Sequence, residues 1–186
     1  MTPELRARYA EPHRRYHSLA HIEDCLAELA TVSGLTADQR LTLERALWWH
    51  DAIYDPTRSD NEAESAALAE RELSALGVPE APRAEVARLI LLTCGHTVAP
   101  GDRLGALMIS IDLSILGRSP DAYDRYAAQI REEYAHVPDA LYRAGRAAVM
   151  RRFLEAETIY ADPAFAARFE TPARANIARE IAALQA

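Results

Sequence analysis

The chain has 186 residues, 49% of them apolar and 26% charged, and a formal net charge of -7. That length suits one packed core, the composition is that of a globular protein, and the acidic balance argues against binding a nucleic acid duplex through a general basic surface. A small anion held by a few local arginines is still allowed.

No stretch approaches the roughly 20 apolar residues needed to cross a bilayer, and the opening MTPELRARYAEPHRRYH lacks an apolar segment of signal-peptide length. Cys25 and Cys94 stand apart without a CxxC pair, so neither a disulfide framework nor a thiolate zinc site is expected. The expected setting is the cytoplasm, with no membrane partner. With only 7 glycines and an excess of Ala and Leu, the composition favours helices.

In chain order, Ser18 precedes a segment whose Leu19, Ile22, Leu26 and Leu29 share a helical face, ending at Ser33-Gly34. Thr36 with Gln39, and Ser59 with Glu62, have capping-box spacing, which predicts helices starting near residues 37 and 60. After the break GVPEAP at 77 to 82, an apolar-patterned segment runs to Gly95. Ile109, Ile111, Leu113 and Ile115 alternate with polar residues as in a strand, while Leu104, Met108, Asp112 and Ile115 also share a helical face. Periodicity alone leaves both readings open. A strand with no partner elsewhere in the chain would be unstable, which favours helix. Prolines at 120, 138, 163 and 172 then predict four more helices, at roughly 120 to 135, 139 to 160, 163 to 169 and 172 to 185.

The stretch LWWHDAIYD, residues 47 to 55, places His50 and Asp51 side by side in an apolar setting. Leu43, Leu47 and His50 follow helical spacing on a helix read from about 37 to 53, so the pair lies at its inner edge. A buried carboxylate needs a cation or several donors. The pair therefore reads either as a His and an Asp capping a helix end or as imidazole and carboxylate ligands of a divalent metal. His21 on the preceding helix and Asp112 in the later apolar segment are the further candidate ligands.

This order of residues resembles the HD superfamily of metal-dependent phosphohydrolases, with His21, His50, Asp51 and Asp112 at the matching positions. The blocks YAEPHRRYHSLAHI, WWHDAIYDPTRSDNEAESA, SIDLSILG, EEYAHVPDALYRAGRAAVMRRFLEAETIY and ARANIAREI are similar to a bacterial subgroup of predicted metal-dependent HD phosphohydrolases and together span nearly the whole chain. Two departures stand out: Arg15 occupies a position where histidine is common, and Ser110 one where an extra aspartate often precedes the motif. The resemblance implies an all-α, single-domain HD-type bundle of about seven to nine helices over residues 1–186.

It further implies one divalent ion (Mn, Fe, Co, Ni, Zn or Mg) and hydrolysis of a small phosphorylated substrate, an ester or anhydride such as a nucleotide, by metal-activated water. Asp55, four residues after Asp51, is the expected general acid or base, with Glu62 its rival. His96 follows the Gly95 helix stop, where it either meets the last carbonyls, contacts phosphate or joins a second metal. His13, His17 and His21 share a four-residue spacing, but Pro12 and the Ser18 cap break any continuous helix, leaving His17 as a residue bordering the pocket. Among Arg131, Arg143, Arg146, Arg151 and Arg152, the expected phosphate contact is Arg146, in the block YRAGRAAVM. The rival functions are a di-iron oxygenase of the same fold and a non-catalytic nucleotide-binding regulatory module.

Overall fold

The computed structural model describes residues 2–185. Among these the regular elements are all helical: α1 Pro3–Arg8, α2 Leu19–Thr31, α3 Ala37–Trp49, α4 Asn61–Ala75, α5 Glu80–Leu92, α6 Arg103–Asp112, a 3-10 helix Leu113–Gly117, α7 Pro120–Glu133, α8 Asp139–Glu155 and α9 Pro163–Gln185. The all-α expectation is met. None of these helices is long and apolar enough to cross a membrane. The chain divides into two compact units, one ending at Asp112 and the other beginning at Leu113. Chain length gives no hint of this division, because 186 residues also suit a single core.

In the first unit α3 packs against α2, α4, α5 and α6, and its Leu43, Ala46 and Leu47 are fully buried. The Thr36–Gln39 capping box forms as read: Gln39 N–H donates to Thr36 Oγ1 at 3.2 Å and Thr36 N–H to Gln39 Oε1 at 3.0 Å. The box expected at Ser59 and Glu62 does not. Here α4 begins at Asn61 with Asp60 as the preceding residue, and Arg58 holds both Asp60 oxygens at 2.7 and 2.8 Å. The Asn61 side chain instead exchanges two hydrogen bonds with the Asp55 backbone. The short α1, absent from the sequence reading, is capped by Thr2 Oγ1 on Leu5 N–H and anchored by the fully buried Leu5.

The α2–α3 loop is pinned from both sides. Arg40 donates to the carbonyls of Leu29 and Val32 at 2.9 and 2.7 Å, and Arg103 to those of Gly34 and Ser33 at 2.8 and 3.1 Å. The segment that sequence periodicity left ambiguous is α6 followed by the 3-10 helix. Leu107, Met108, Ile109, Ser110 and Ile111 are all buried, so the alternating pattern does not mark one wet and one dry face. Two-sided burial explains why periodicity was undecided there.

The second unit departs from two expected boundaries. Helix α8 stops at Glu155, and the backbone N–H groups of Ile159 and Tyr160 donate to the Glu170 carboxylate at 3.0 and 3.3 Å. The two helices expected around Pro172 are one, α9, with the proline inside it. A helix-interior proline costs about 3 kcal/mol. Phe165, Phe169, Ala173 and Ile177, spaced by four, bury one continuous stripe across it, and Asn176 donates to the Leu116 and Arg118 carbonyls at 3.0 and 2.9 Å. Burial on both sides of the proline keeps the helix running.

A Cβ placed on Gly117 would lie 2.5 Å from Phe169 Cβ and 2.8 Å from its carbonyl oxygen. Backbone cannot yield as a side-chain tip can. Gly117→Ala should therefore lower unfolding free energy by about 1–3 kcal/mol, the usual range for overpacking, measured as a reduced urea midpoint at unchanged m-value.

Candidate metal centre

Four elements of the first unit bring polar groups together. His21 comes from the first turn of α2, His50 and Asp51 from the end of α3, Asp112 from the last residue of α6, and His96 from the segment after α5. The histidine–aspartate pair lies just past Trp49, not inside a helix running to residue 53. His50 keeps helical dihedrals and caps α3, its N–H donating to Ala46 O at 2.9 Å.

At this end nearly every backbone acceptor is engaged. His50 Nδ1 donates to Leu47 O at 2.9 Å, Tyr9 Oη to Trp48 O at 2.7 Å and Ala52 N–H to Trp49 O at 3.1 Å. Arg14 donates to Asp51 O at 2.8 Å and Ala52 O at 3.3 Å. Anchoring Nδ1 on a carbonyl aims Nε2 of His50 at the carboxylates, the second-shell arrangement common for metal-binding imidazoles.

The Nε2 atoms of His21 and His50 are 3.2 Å apart. Asp51 Oδ2 lies 3.1 Å from His50 Nε2 and 3.7 Å from that of His21; Asp112 Oδ1 lies 3.4 and 3.2 Å from the same two nitrogens. Bonds of about 2.0–2.2 Å to nitrogen and oxygen place neighbouring donors about 3.0–3.5 Å apart around one ion. Four of the five separations fall in that range and the fifth is slightly longer. Asp51 and Asp112, with His21 and His50 the residues the sequence singled out, each thus stand at coordination spacing from the two imidazoles, which are themselves 3.2 Å apart. Both histidines are almost wholly buried and both aspartates mostly so.

Electrostatics follow from that burial. Desolvation alone would raise the Asp51 carboxyl, but attraction to His50, His17 and His21 outweighs it and holds the group well below its ordinary value of 3.8. Asp112 behaves alike: burial pushes it up, and hydrogen bonds from His21, His50 and His96 hold it well down. Burial disfavours the His50 imidazolium, yet Asp51 and Asp112 raise it well above 6.5. Burial also pushes the Cys25 thiol up, with Asp112 and Asp51 adding to the effect.

His96 Nε2 is 3.6 Å from Asp112 Oδ2, whereas His21 and His50 meet Oδ1. His96 holds φ of 53°, a left-handed backbone uncommon for a side chain bearing Cβ, and its imidazole is 29% exposed. His17 stacks on Tyr54 at 4.1 Å between centroids and meets the His21 ring edge-on at 6.2 Å.

The remaining candidates are engaged differently. The Asp55 carboxylate accepts from Thr57 N–H at 2.8 Å and Thr57 Oγ1 at 2.7 Å, closing a turn. Glu62 is in the first turn of α4, half-buried. Arg146 belongs to the second unit, where it pairs with Glu180 at 2.8 Å, each side chain 9% exposed, and covers the Tyr126 ring.

Two residues escaped the sequence reading. Arg14 is buried, donating to Glu11, His17 O, Asp51 O and Ala52 O and lying over the Tyr9 and Tyr54 rings. Its signal was the arginine pair in EPHRRYH, of which Arg15 is exposed and donates to the carbonyls of Pro12 and Arg14. Cys25 is one helical turn after His21, with Sγ 3.8 Å from both ring nitrogens. Searches against protein-family models, curated proteins and solved structures find no match for this chain.

Arg14→Met should destabilise the protein by at least about 1.5–3 kcal/mol, the scale of a hydrogen bond to a charged group, read from urea unfolding. The pH dependence of the chelator-treated protein has a defined sign. Carboxylates held below 3.8 contribute stability that is full above that value and fades as pH falls; an imidazole held above 6.5 contributes stability that is full below it and fades as pH rises. Thermal midpoints in chelator should form a plateau between these values and decline on both sides.

Proposed function

We propose that the chain is a metal-dependent phosphohydrolase of the HD type, acting on a small phosphate ester or anhydride. The observation that carries this reading is that Asp51 Oδ2 and Asp112 Oδ1 each lie 3.1–3.7 Å from the Nε2 atoms of His21 and His50, themselves 3.2 Å apart. Two imidazoles and two carboxylates fit a borderline or hard divalent ion such as Mn, Fe, Co, Ni, Zn or Mg. The resemblance of the sequence blocks to HD phosphohydrolases supports the reaction class. A bound divalent ion supplies acidified water and offsets charge on the phosphoryl oxygens.

The protein's own groups divide the remaining work. Leu47 O orients His50, and Arg14 holds the backbone at 51–52, so the two ligands next to each other in sequence keep a fixed relation. Partly exposed His96 and His17 are the groups proposed to contact phosphate. Asp55 and Glu62 are the carboxylates proposed for proton transfer. Arg146, committed to Glu180, is left out of this site.

One observation favours a second reading. His96 Nε2 lies 3.6 Å from Asp112 Oδ2 while Oδ1 meets His21 and His50, which would suit a carboxylate shared between two ions in a di-iron oxygenase.

Elemental analysis of purified protein, paired with a panel of phosphomonoesters, pyrophosphate and nucleotides, tests the proposal. The expected result is about one ion per chain, absent from His50→Ala, Asp51→Ala and Asp112→Ala. Activity in these variants should fall by more than about 100-fold, beyond the 10–100-fold loss typical of residues that only support ligands. Asp55→Asn and Glu62→Gln, assayed beside them, identify the proton-transfer group by the larger loss in turnover at unchanged metal content. Two irons per chain with no phosphatase activity would favour the oxygenase; equal metal content in parent and variants would sink both.

A further inference from the structure

Shortly after the histidine–aspartate pair, three consecutive residues are held by side chains from elsewhere. Ser65 Oγ accepts from Ile53 N–H at 3.0 Å and donates to Ile53 O at 3.2 Å, Asn61 exchanges two hydrogen bonds with the Asp55 backbone, and His13 Nε2 lies 2.7 Å from Tyr54 O. Asn61 and Ser65 are four apart on one face of α4, so the helix grips the chain on both sides of Tyr54. Loops are ordinarily more mobile than the elements they join. This one has its backbone fixed at 53, 54 and 55.

What the grip positions is an aromatic ring. Tyr54 stacks on His17 with centroids 4.1 Å and planes 26° apart, and His13 lies nearly parallel to Tyr54, at 6.3 Å and 12°. Tyr16 adds a fourth ring, 5.1 Å from His17 and 4.8 Å from His21. Tyr16, His17 and Tyr54 are half-buried, and the His13 side chain is 43% exposed. Flat ring surface therefore reaches solvent beside the candidate ligands: His17 meets the His21 ring at 6.2 Å, and its attraction is among those that hold the Asp51 carboxyl down. Aromatic walls next to a few convergent polar groups are the usual make-up of a small-molecule site.

We propose that the His17–Tyr54 stack receives a planar ring of the substrate, so that the centre prefers phosphate compounds carrying an aryl or nucleobase ring to non-planar ones of similar size. This deepens the phosphohydrolase reading above and rests on its metal centre. Because the stack begins one ring away from His21, the substrate's ring is joined to phosphorus directly or through a short linker such as one sugar. Stacking selects planarity rather than identity, since every base has a π-face. Tyr54 is thus a specificity-determining residue, and Asn61 and Ser65 are the residues that position it.

The test is calorimetric titration of full-length protein, loaded with Zn(II) or Mn(II), with phenylphosphonate and with its non-planar match, cyclohexylphosphonate. The parent should bind the planar probe about two- to tenfold more tightly, the range expected of one aromatic pair beyond its buried area. Tyr54→Leu and His17→Leu should bring that ratio close to one, and Tyr54→Phe, which keeps the ring, should preserve it. Circular dichroism and metal content check that each variant is folded and loaded, but the parent measurement is decisive by itself. A parent that does not prefer the planar probe would overturn the stacking assignment and leave the metal centre standing. So would a ratio unmoved in both leucine variants. A planar preference with no turnover of phenyl phosphate would uphold the stack and remove the hydrolase reading, whereas a parent that takes up neither ion and binds neither phosphonate would overturn both.

Discussion

The constraint on which the first unit turns is the burial of two carboxylates, Asp51 and Asp112, in one place. Brought together in low dielectric, they would repel one another and lose their hydration. The fold sets both against the Nε2 atoms of His21 and His50. Attraction then prevails over desolvation, and both acids stay ionised. A pocket of that charge pattern favours the protonated form of His50 when no cation is bound, and in the proposed function a divalent ion supplies the balancing charge.

Holding such a cluster requires firm backbone. The end of α3 meets this by leaving few carbonyls to solvent: side chains from elsewhere in the first unit, Tyr9 and Arg14, reach the carbonyls of Trp48, Asp51 and Ala52, while His50 closes on Leu47. Arg14 is thus as much a part of the centre as the residues facing its interior, although it touches no carboxylate of the cluster. Its planar fork serves several carbonyls at once, which lysine would not.

Much of this was legible beforehand. The Thr36 box and the gathering of His21, His50, Asp51 and Asp112 follow from residue type, spacing and resemblance, while the helix expected to stop at Gly95 ends three residues earlier, at Leu92. The misreadings have local causes. Ser59 lost its capping role because Arg58 and Asp60, two residues apart, formed a pair that spacing rules do not weigh. Pro172 failed to break α9 because the buried stripe from Phe165 to Ile177 outweighed its local penalty.

By itself the sequence determined the all-helical class, through its alanine- and leucine-rich periodicity and scarce glycine, and named four side chains of a candidate centre. Those properties are local, carried by neighbours along the chain or by motif order. Tertiary structure alone decided that both carboxylates come within 3.1–3.7 Å of the two imidazoles, and that Arg14 and not Arg15 is buried. Each of these depends on which helix faces pack together, a balance of burial and hydrogen bonding among residues far apart in the chain that no short window of sequence contains.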